Sequence, residues 1–335
     1  MKAWQVRSLG EPADVLVASE VADPVVAPGH LRVRVRAMAV NFPDILMARG
    51  LYQVRPDLPF VPGVEVCGEV LEVGPVPDGL PASVPAFSVG DRVVGTTAVP
   101  HGGLAEQCLM PMTGAFPAPE GLDDAQASGL TIAYQTAYVG LVRRAGLRRG
   151  ETLVVHAAAG GVGLAAVQVG SALGARVIAV VGGPHKASVA RAAGAAAVVD
   201  RTGTDLVAAL KSAVGPQGAD VVFDPVGGAA YEASTKVVAF EGRIVVVGFA
   251  SGTIPSPSLN HALVKNYSVV GLHWGLYLQR DHAVALEAHR QLAEWVVDGR
   301  VEPLVSQRVS FEEAPAALTR VAAGESTGRV VVLGA

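Results

Sequence analysis

The stretch that most limits what this chain can become is TLVVHAAAGGVGLAAVQVGSALGARVIAVVGGPHK, residues 152 to 186. It reads as an apolar strand, a turn with no bulky side chain, a helix and a second apolar strand. A parallel strand that ends in such a turn and feeds a helix aims several backbone N–H groups at one point. The helix dipole adds positive potential there, so a pyrophosphate has a natural seat. The side chains at the seat must be small, which accounts for Ala159, Gly160, Gly161 and Gly163, with Val162 between them. A glycine pattern alone is a weak signal; its weight comes from the strand, turn, helix and second strand all being in place.

The same alternation continues on both sides. AAVVD, TDLVAALKSAVG, ADVVFDPVGG, YEASTKVVAF and GRIVVVGFA follow as strand and helix signals in turn. That rhythm builds a doubly wound parallel sheet, an α/β fold. Residues 1–124 read differently. Short valine-rich runs are cut by Gly and Pro, and LRVRVRAMAV alternates with Arg32, Arg34 and Arg36 on one face and Leu31, Val33 and Val35 on the other. This half is expected to be an antiparallel, barrel-like β domain, with PVPDGLPASVPAFSVG as an exposed loop. The expected layout is therefore a β-rich domain at 1–124, a nucleotide-binding domain at 125–270, and a segment at 271–335 that returns to the first domain.

Bulk properties exclude several classes. A net charge of −4 with no basic block argues against nucleic acid or an anionic membrane as partner. No apolar run approaches the roughly 18 residues of a membrane span, and the amino terminus lacks a secretory pattern, so a cytoplasmic protein is expected. Two cysteines, Cys67 and Cys108, supply neither a disulfide framework nor a metal-ligand spacing. Cys67 reads as a small buried hydrophobe and Cys108 as open to partial exposure; neither is given a redox role.

The end of the second strand selects the coenzyme. NAD-binding units place Asp or Glu there against the ribose 2′-OH. This chain has Gly182 and Gly183 instead, which leave room for a 2′-phosphate, with Lys186 and Arg201 near enough to supply cations. NADPH is the expected cofactor. Its nicotinamide is expected beyond the carboxyl ends of the strands, beside FDPVGG, which contains Val226, and VGFASG, which contains Phe249 and Ala250. Ala158 stands where the fingerprint usually has its first glycine, which is tolerable if its φ is negative.

In order along the chain, VNFPDILMARGLYQ, PFVPGVEVCGEV, GDRVVG, HGGLAEQ, LTIAYQTAY, HAAAGGVG, FDPVGG and STGRVVVLG resemble the zinc-free NADPH:quinone oxidoreductase branch of the medium-chain dehydrogenase/reductase superfamily. The resemblance covers essentially the whole chain. It implies a GroES-like catalytic domain split around a Rossmann domain, a cleft between them and a homodimer. The apolar edge near SVVGLHW offers a physical reason for pairing. Asn41 resembles the residue that contacts the nicotinamide ribose, Thr131 the one beside the nicotinamide, and Lys186 the family's 2′-phosphate lysine. Arg201 stands where better-known members have a tyrosine, and Leu46 replaces another. His273 and Trp274 are placed at the lining of the coenzyme cleft, with Tyr52, Phe60, Tyr134 and Trp274 lining the acceptor's path; Tyr134, on a helical apolar face, also reads as a core residue.

Zinc alcohol dehydrogenases of the superfamily have Cys at the Asn41 position and Gly-His-Glu at Gly63-Val64-Glu65, so no metal is expected. Hydride transfer without a Lewis acid favours small acceptors that are already electrophilic, such as quinones, enals and enones. Tyr52 resembles the presumed proton donor of related enoyl-thioester reductases and is read equally as donor or as aromatic lid. Asp44, Glu65 and Glu106 are expected to cap turns or pair with arginines. Two other readings stand beside the first: an enoyl-thioester reductase that uses Arg49 and Arg55 around Tyr52, and an NADPH-binding protein with little catalysis.

Overall fold

The alternation of Leu31 to Arg36 becomes the central strand of a β-sheet. The computed structural model describes residues 1–203 and 205–335. Its early strands are β1 (Lys2–Val6), β2 (Leu16–Glu20), β3 (His30–Ala39), β4 (Glu65–Val73), β5 (Arg92–Thr96), β6 (Gln107–Pro111) and β7 (Ala115–Pro117). Then come β8 (Thr152–Val155), β9 (Arg176–Val181), β10 (Ala197–Asp200), β11 (Ala219–Asp224), β12 (Val238–Val246) and β13 (Ser268–Gly271). The chain closes with β14 (Val305–Val309) and β15 (Arg329–Leu333).

The described residues divide into two compact units. One comprises Met1–Ile132, Leu276–Val297 and Glu302–Ala335; the other comprises Ala133–Gly275 and Asp298–Val301.

In the first unit β14, β15, β3, β4, β5 and β7 form one sheet in that order, and β6 pairs with β3. Every pairing but β14–β15 is antiparallel. Leu31, Val33 and Val35 are buried in the core, while Arg34 and Arg36 are exposed and both reach Glu69. The carboxy-terminal strand β15 sits directly against β3, so the tail completes this unit. PVPDGLPASVPAFSVG lies outside the strands and helices, as expected, although Val84 and Phe87 pack on the core.

In the second unit all pairings are parallel, in the order β10-β9-β8-β11-β12-β13. The order reverses between β8 and β11, which is where open α/β sheets bind ligands. The first crossover helix, Gly161–Ala172, buries Leu164, Ala165, Val167 and Val169 against the sheet. β13 forms one edge of the sheet.

Candidate active site

The glycine-rich turn of the second unit is held by its own backbone. Gly160 N–H donates to the Ala157 carbonyl at 2.9 Å, and Leu164 N–H donates to Gly160 at 2.8 Å. Gly161, Val162 and Gly163 form the first turn of the following helix, where no intrahelical carbonyl is available to their amides. A Cβ on Gly163 would lie 2.2 Å from the Ala157 oxygen and 3.0 Å from Ala158 Cα, so this position excludes any side chain. Ala158 and Ala159 are buried. Ala158 tolerates its methyl because the positive φ of this turn falls on Ala157, at 49°.

At the end of β9, Gly182 lies beneath the Arg201 guanidinium: a Cβ there would meet Nη2 at 3.3 Å. Lys186 is the third residue of the helix Pro184–Ala192 and is half-buried. Sequence reasoning overlooked Asp200, the last residue of β10. Its Oδ1 accepts from Gly183 N–H at 2.9 Å, Thr202 N–H at 2.9 Å and the Thr202 hydroxyl at 2.7 Å. These bonds hold the Asp200 carboxyl below its ordinary range, and they lock the ends of β9 and β10 together. The Asp-Arg-Thr-Gly turn after AAVVD was the available signal.

The two segments expected at the nicotinamide are tied to each other. Ala250 N–H donates to Pro225 at 3.1 Å and Ser251 N–H to Val226 at 3.0 Å. Phe249 packs over Gly227 and remains 38% exposed. His273 is exposed, whereas Trp274 is buried with Nε1–H donating to Gln135 Oε1 at 3.2 Å.

The first unit gathers Asn41, Thr131, Asp44 and Glu65. Asn41 is the N-cap of the helix Phe42–Ala48. Its Nδ2 donates to the Ala39 carbonyl at 2.9 Å and to Glu65 Oε2 at 2.8 Å, and its backbone N–H donates to Asp44 Oδ2 at 2.8 Å. Asp44 Oδ1 accepts from Gly63 N–H at 3.0 Å and Val64 N–H at 2.9 Å, the capping role expected of it. Glu65 Oε1 accepts from Ile132 N–H at 2.6 Å, beside Thr131. Glu65 Oε2 also receives the guanidinium of Arg329, the arginine partner expected for this carboxylate. Burial pushes the Glu65 carboxyl up, while Arg329, Asn41 and the helix amides pull it back. The Thr131 hydroxyl is buried with no hydrogen-bond partner among the described residues. Arg329 was not singled out in sequence, because 264 residues separate it from Glu65.

Tyr52 is half-buried on the same core. Burial and then the nearby Asp44 carboxylate hold its phenol above its ordinary pKa, so it stays protonated. Three other aromatic expectations need correction. Phe60, Tyr134 and Trp274 are 1%, 2% and 7% exposed, so these side chains are core rather than open lining. Phe60 exchanges backbone bonds with Val6, and Tyr134 donates to Gln168 Oε1 at 3.1 Å. Arg49, expected to be available beside Tyr52, is bound through its Nε–Nη2 edge to both carboxylate oxygens of Glu11, at 2.9 and 2.7 Å. Cys108 is fully buried rather than partly exposed, which pushes its thiol up to about 12; Cys67 is pushed up as well.

A zinc ion does not fit here. Glu65 spends its carboxylate on Arg329, Asn41 and Ile132, and its neighbours offer an amide and Val64 where a thiolate and an imidazole are needed. Among the described residues no cluster of three or more His, Cys, Asp or Glu is arranged to hold a metal.

Two family models match: the alcohol dehydrogenase GroES-like domain over residues 27–129, and the domain described as zinc-binding dehydrogenase over residues 161–290. The quinone oxidoreductase-like protein 2 homolog of Nematostella vectensis is 36% identical over 333 residues, spanning 99% of this chain and 88% of that protein. Mycobacterial Rv1454c complexed with NADPH superposes with a TM-score of 0.90 at 30% identity, over 99% of this chain and 100% of that one. The Escherichia coli quinone oxidoreductase complexed with NADPH gives a TM-score of 0.89 at 29% identity, again over 99% and 100% of the two chains. Similarity that runs nearly end to end, through both a GroES-like and a Rossmann domain, makes this chain a member of the quinone oxidoreductase branch of the medium-chain dehydrogenase/reductase superfamily, and an oxidoreductase.

Proposed function

We propose that the protein is an NADPH-dependent, metal-independent reductase of quinones and related α,β-unsaturated carbonyls. The observation that carries this reading is the Arg201 guanidinium over Gly182 at the end of β9, where an NAD-specific unit would present a carboxylate to the ribose. NADPH supplies the hydride when bound. The amides of Gly161 to Gly163, with Ala159 and Gly160 leaving room, receive the pyrophosphate. Lys186 and Arg201 take the 2′-phosphate, Arg201 as a flat fork. Asn41 and Thr131 serve the nicotinamide end, and Val226, Phe249, Ala250 and His273 shape the space around it. Tyr52, kept as a phenol, donates a hydrogen bond and then a proton to the acceptor oxygen. In this reading the unit of Met1–Ile132, Leu276–Val297 and Glu302–Ala335 is the catalytic domain, and that of Ala133–Gly275 and Asp298–Val301 the coenzyme domain, so the boundaries expected at 124 and 271 move to 132 and 276. The two buried thiols suit a reducing compartment such as the cytoplasm.

The test is oxidation of NADPH, followed by its absorbance, with 9,10-phenanthrenequinone and, in parallel, crotonyl-CoA. Turnover with the quinone is expected, with kcat/KM for NADPH at least about tenfold above that for NADH, the worth of a charge-assisted contact. Faster reduction of crotonyl-CoA would favour the thioester reading, which has lost support because Glu11 already occupies Arg49. Tight NADPH binding with no turnover would leave a binding protein.

The same reading includes a homodimer through β13. This edge strand has Val269 43% exposed, and the neighbouring helix Leu259–Lys265 buries none of its residues, with Leu259, Leu263 and Val264 at 80%, 77% and 77%. An uncovered apolar edge is a pairing site. Sedimentation is expected to give twice the chain mass for the wild type, and a monomer for the variant carrying V269K and L263D. A monomeric wild type would remove the dimer from this account.

A further inference from the structure

We propose that Glu65 and Arg329 are a positioning pair for the nicotinamide end of the coenzyme, a buried ion pair that sets how Asn41 and the start of the Thr131 helix meet it. The proposal rests on the NADPH reading given above and deepens it.

Glu65 is 0% and Arg329 6% exposed. Taking both charges out of water costs more than an apolar pair of similar volume would, so packing alone gives no reason to keep them. Their hydrogen bonds go to the residues assigned to the coenzyme. Glu65 Oε2 takes one Asn41 Nδ2 hydrogen at 2.8 Å, and the Ala39 carbonyl takes the other at 2.9 Å. With both hydrogens spent, what Asn41 can offer a ligand is its amide oxygen, which faces the Asp44 backbone N–H in the capping box and has a second lone pair. It suits a hydroxyl donor, such as a ribose OH. The carboxylate and the Ala39 carbonyl together enforce this choice. Both accept and neither can donate, so a flipped Asn41 would place its oxygen against them. A glutamine at 65 would remove one of these two constraints.

The other oxygen, Oε1, holds the Ile132 N–H at 2.6 Å and so anchors the first turn of the helix that carries Thr131. The Thr131 hydroxyl, buried and unpartnered among the described residues, is ready for a ligand group. Arg329 balances the charge, so that a carboxylate stands one residue contact from the coenzyme without repelling it. The chain makes room for that guanidinium: a Cβ on Gly129 would lie 2.9 Å from Arg329 Cγ. Neither partner touches the reacting atoms; both act through Asn41 and Thr131.

The double variant E65Q/R329M removes both charges at nearly constant volume, and such replacements commonly keep the fold. Its affinity for NADPH and for adenosine 2′,5′-bisphosphate, which lacks the nicotinamide half, is to be measured by calorimetric titration beside the wild type. NADPH is expected to bind about tenfold more weakly, the worth of one well-aligned hydrogen bond, while the bisphosphate binds as before. A general loss of structure would weaken both ligands together, and equal weakening or no change in either would overturn the proposal. Should the double variant fold poorly, R329K carries the same test: it keeps the charge but not the guanidinium Nη2 that meets Oε2, and the same split at about threefold is expected. No split there overturns the pair's role. If wild-type protein fails to bind NADPH at all, the functional reading fails, and that outcome is seen before any variant is compared.

Discussion

Replacing Asp44 by alanine is expected to destabilise the folded chain by about 4 kcal/mol at pH 4, measured by urea unfolding. The side chain is completely buried and accepts from three backbone amides, those of Asn41, Gly63 and Val64. Each donor left without an acceptor costs about 1–3 kcal/mol, and a methyl group restores none of them. The effect depends on pH in a definite direction. Burial raises the Asp44 carboxyl from its ordinary 3.8 to about 6, against the opposing pull of its three amide donors and Arg329. The folded state therefore holds this proton more tightly than the unfolded state. The stability linked to the group is complete below about pH 4 and is lost as pH rises through about 6. The gap between wild type and D44A should narrow by about 3 kcal/mol between pH 4 and pH 7. A gap below about 1 kcal/mol at pH 4 would mean that water replaces the carboxyl and that this cap is dispensable.

A methyl group at Gly163 is expected to lower NADPH affinity about 100-fold and to cost about 1–3 kcal/mol of stability. The clash is with backbone, 2.2 Å to the Ala157 oxygen and 2.7 Å to its carbonyl carbon, so no rotamer change relieves it. Either the turn opens or the helix Gly161–Ala172 withdraws, and in both cases the amide cradle loses its geometry. Gly160 is the internal contrast. A Cβ there meets nothing nearer than the Ala157 oxygen at 3.4 Å. G160A should therefore keep its melting temperature, and any loss of affinity it shows reports the approach of the phosphates. Equal affinity in wild type and G163A would remove the turn from the coenzyme site.

Much of this architecture was legible in short-range pattern. The alternation of strand and helix signals after residue 150 dictated a parallel sheet, because consecutive parallel strands need a crossover. The Arg-Val alternation of β3 marked which face enters the core, because side chains on a strand point to opposite sides in turn. The run of small residues from Ala158 to Gly163 marked the tight turn between β8 and its helix. Burial was less legible. Phe60, Tyr134 and Trp274 have the composition of an open aromatic pocket, yet all three are enclosed, since exposure depends on neighbours from distant segments.

What sequence alone determined, then, was everything governed by spacing: the sheet type, the glycine-rich turn after β8, and the glycines at the end of β9. Tertiary structure decided which charges meet. Asp200 caps the end of β9 from the neighbouring strand. Glu65, which by type resembles a catalytic acid or metal ligand, is claimed by an arginine 264 residues away because β15 and β4 flank β3 in one sheet. Periodicity reports the local backbone, whereas the partner of a buried charge is chosen by which strands the fold brings side by side.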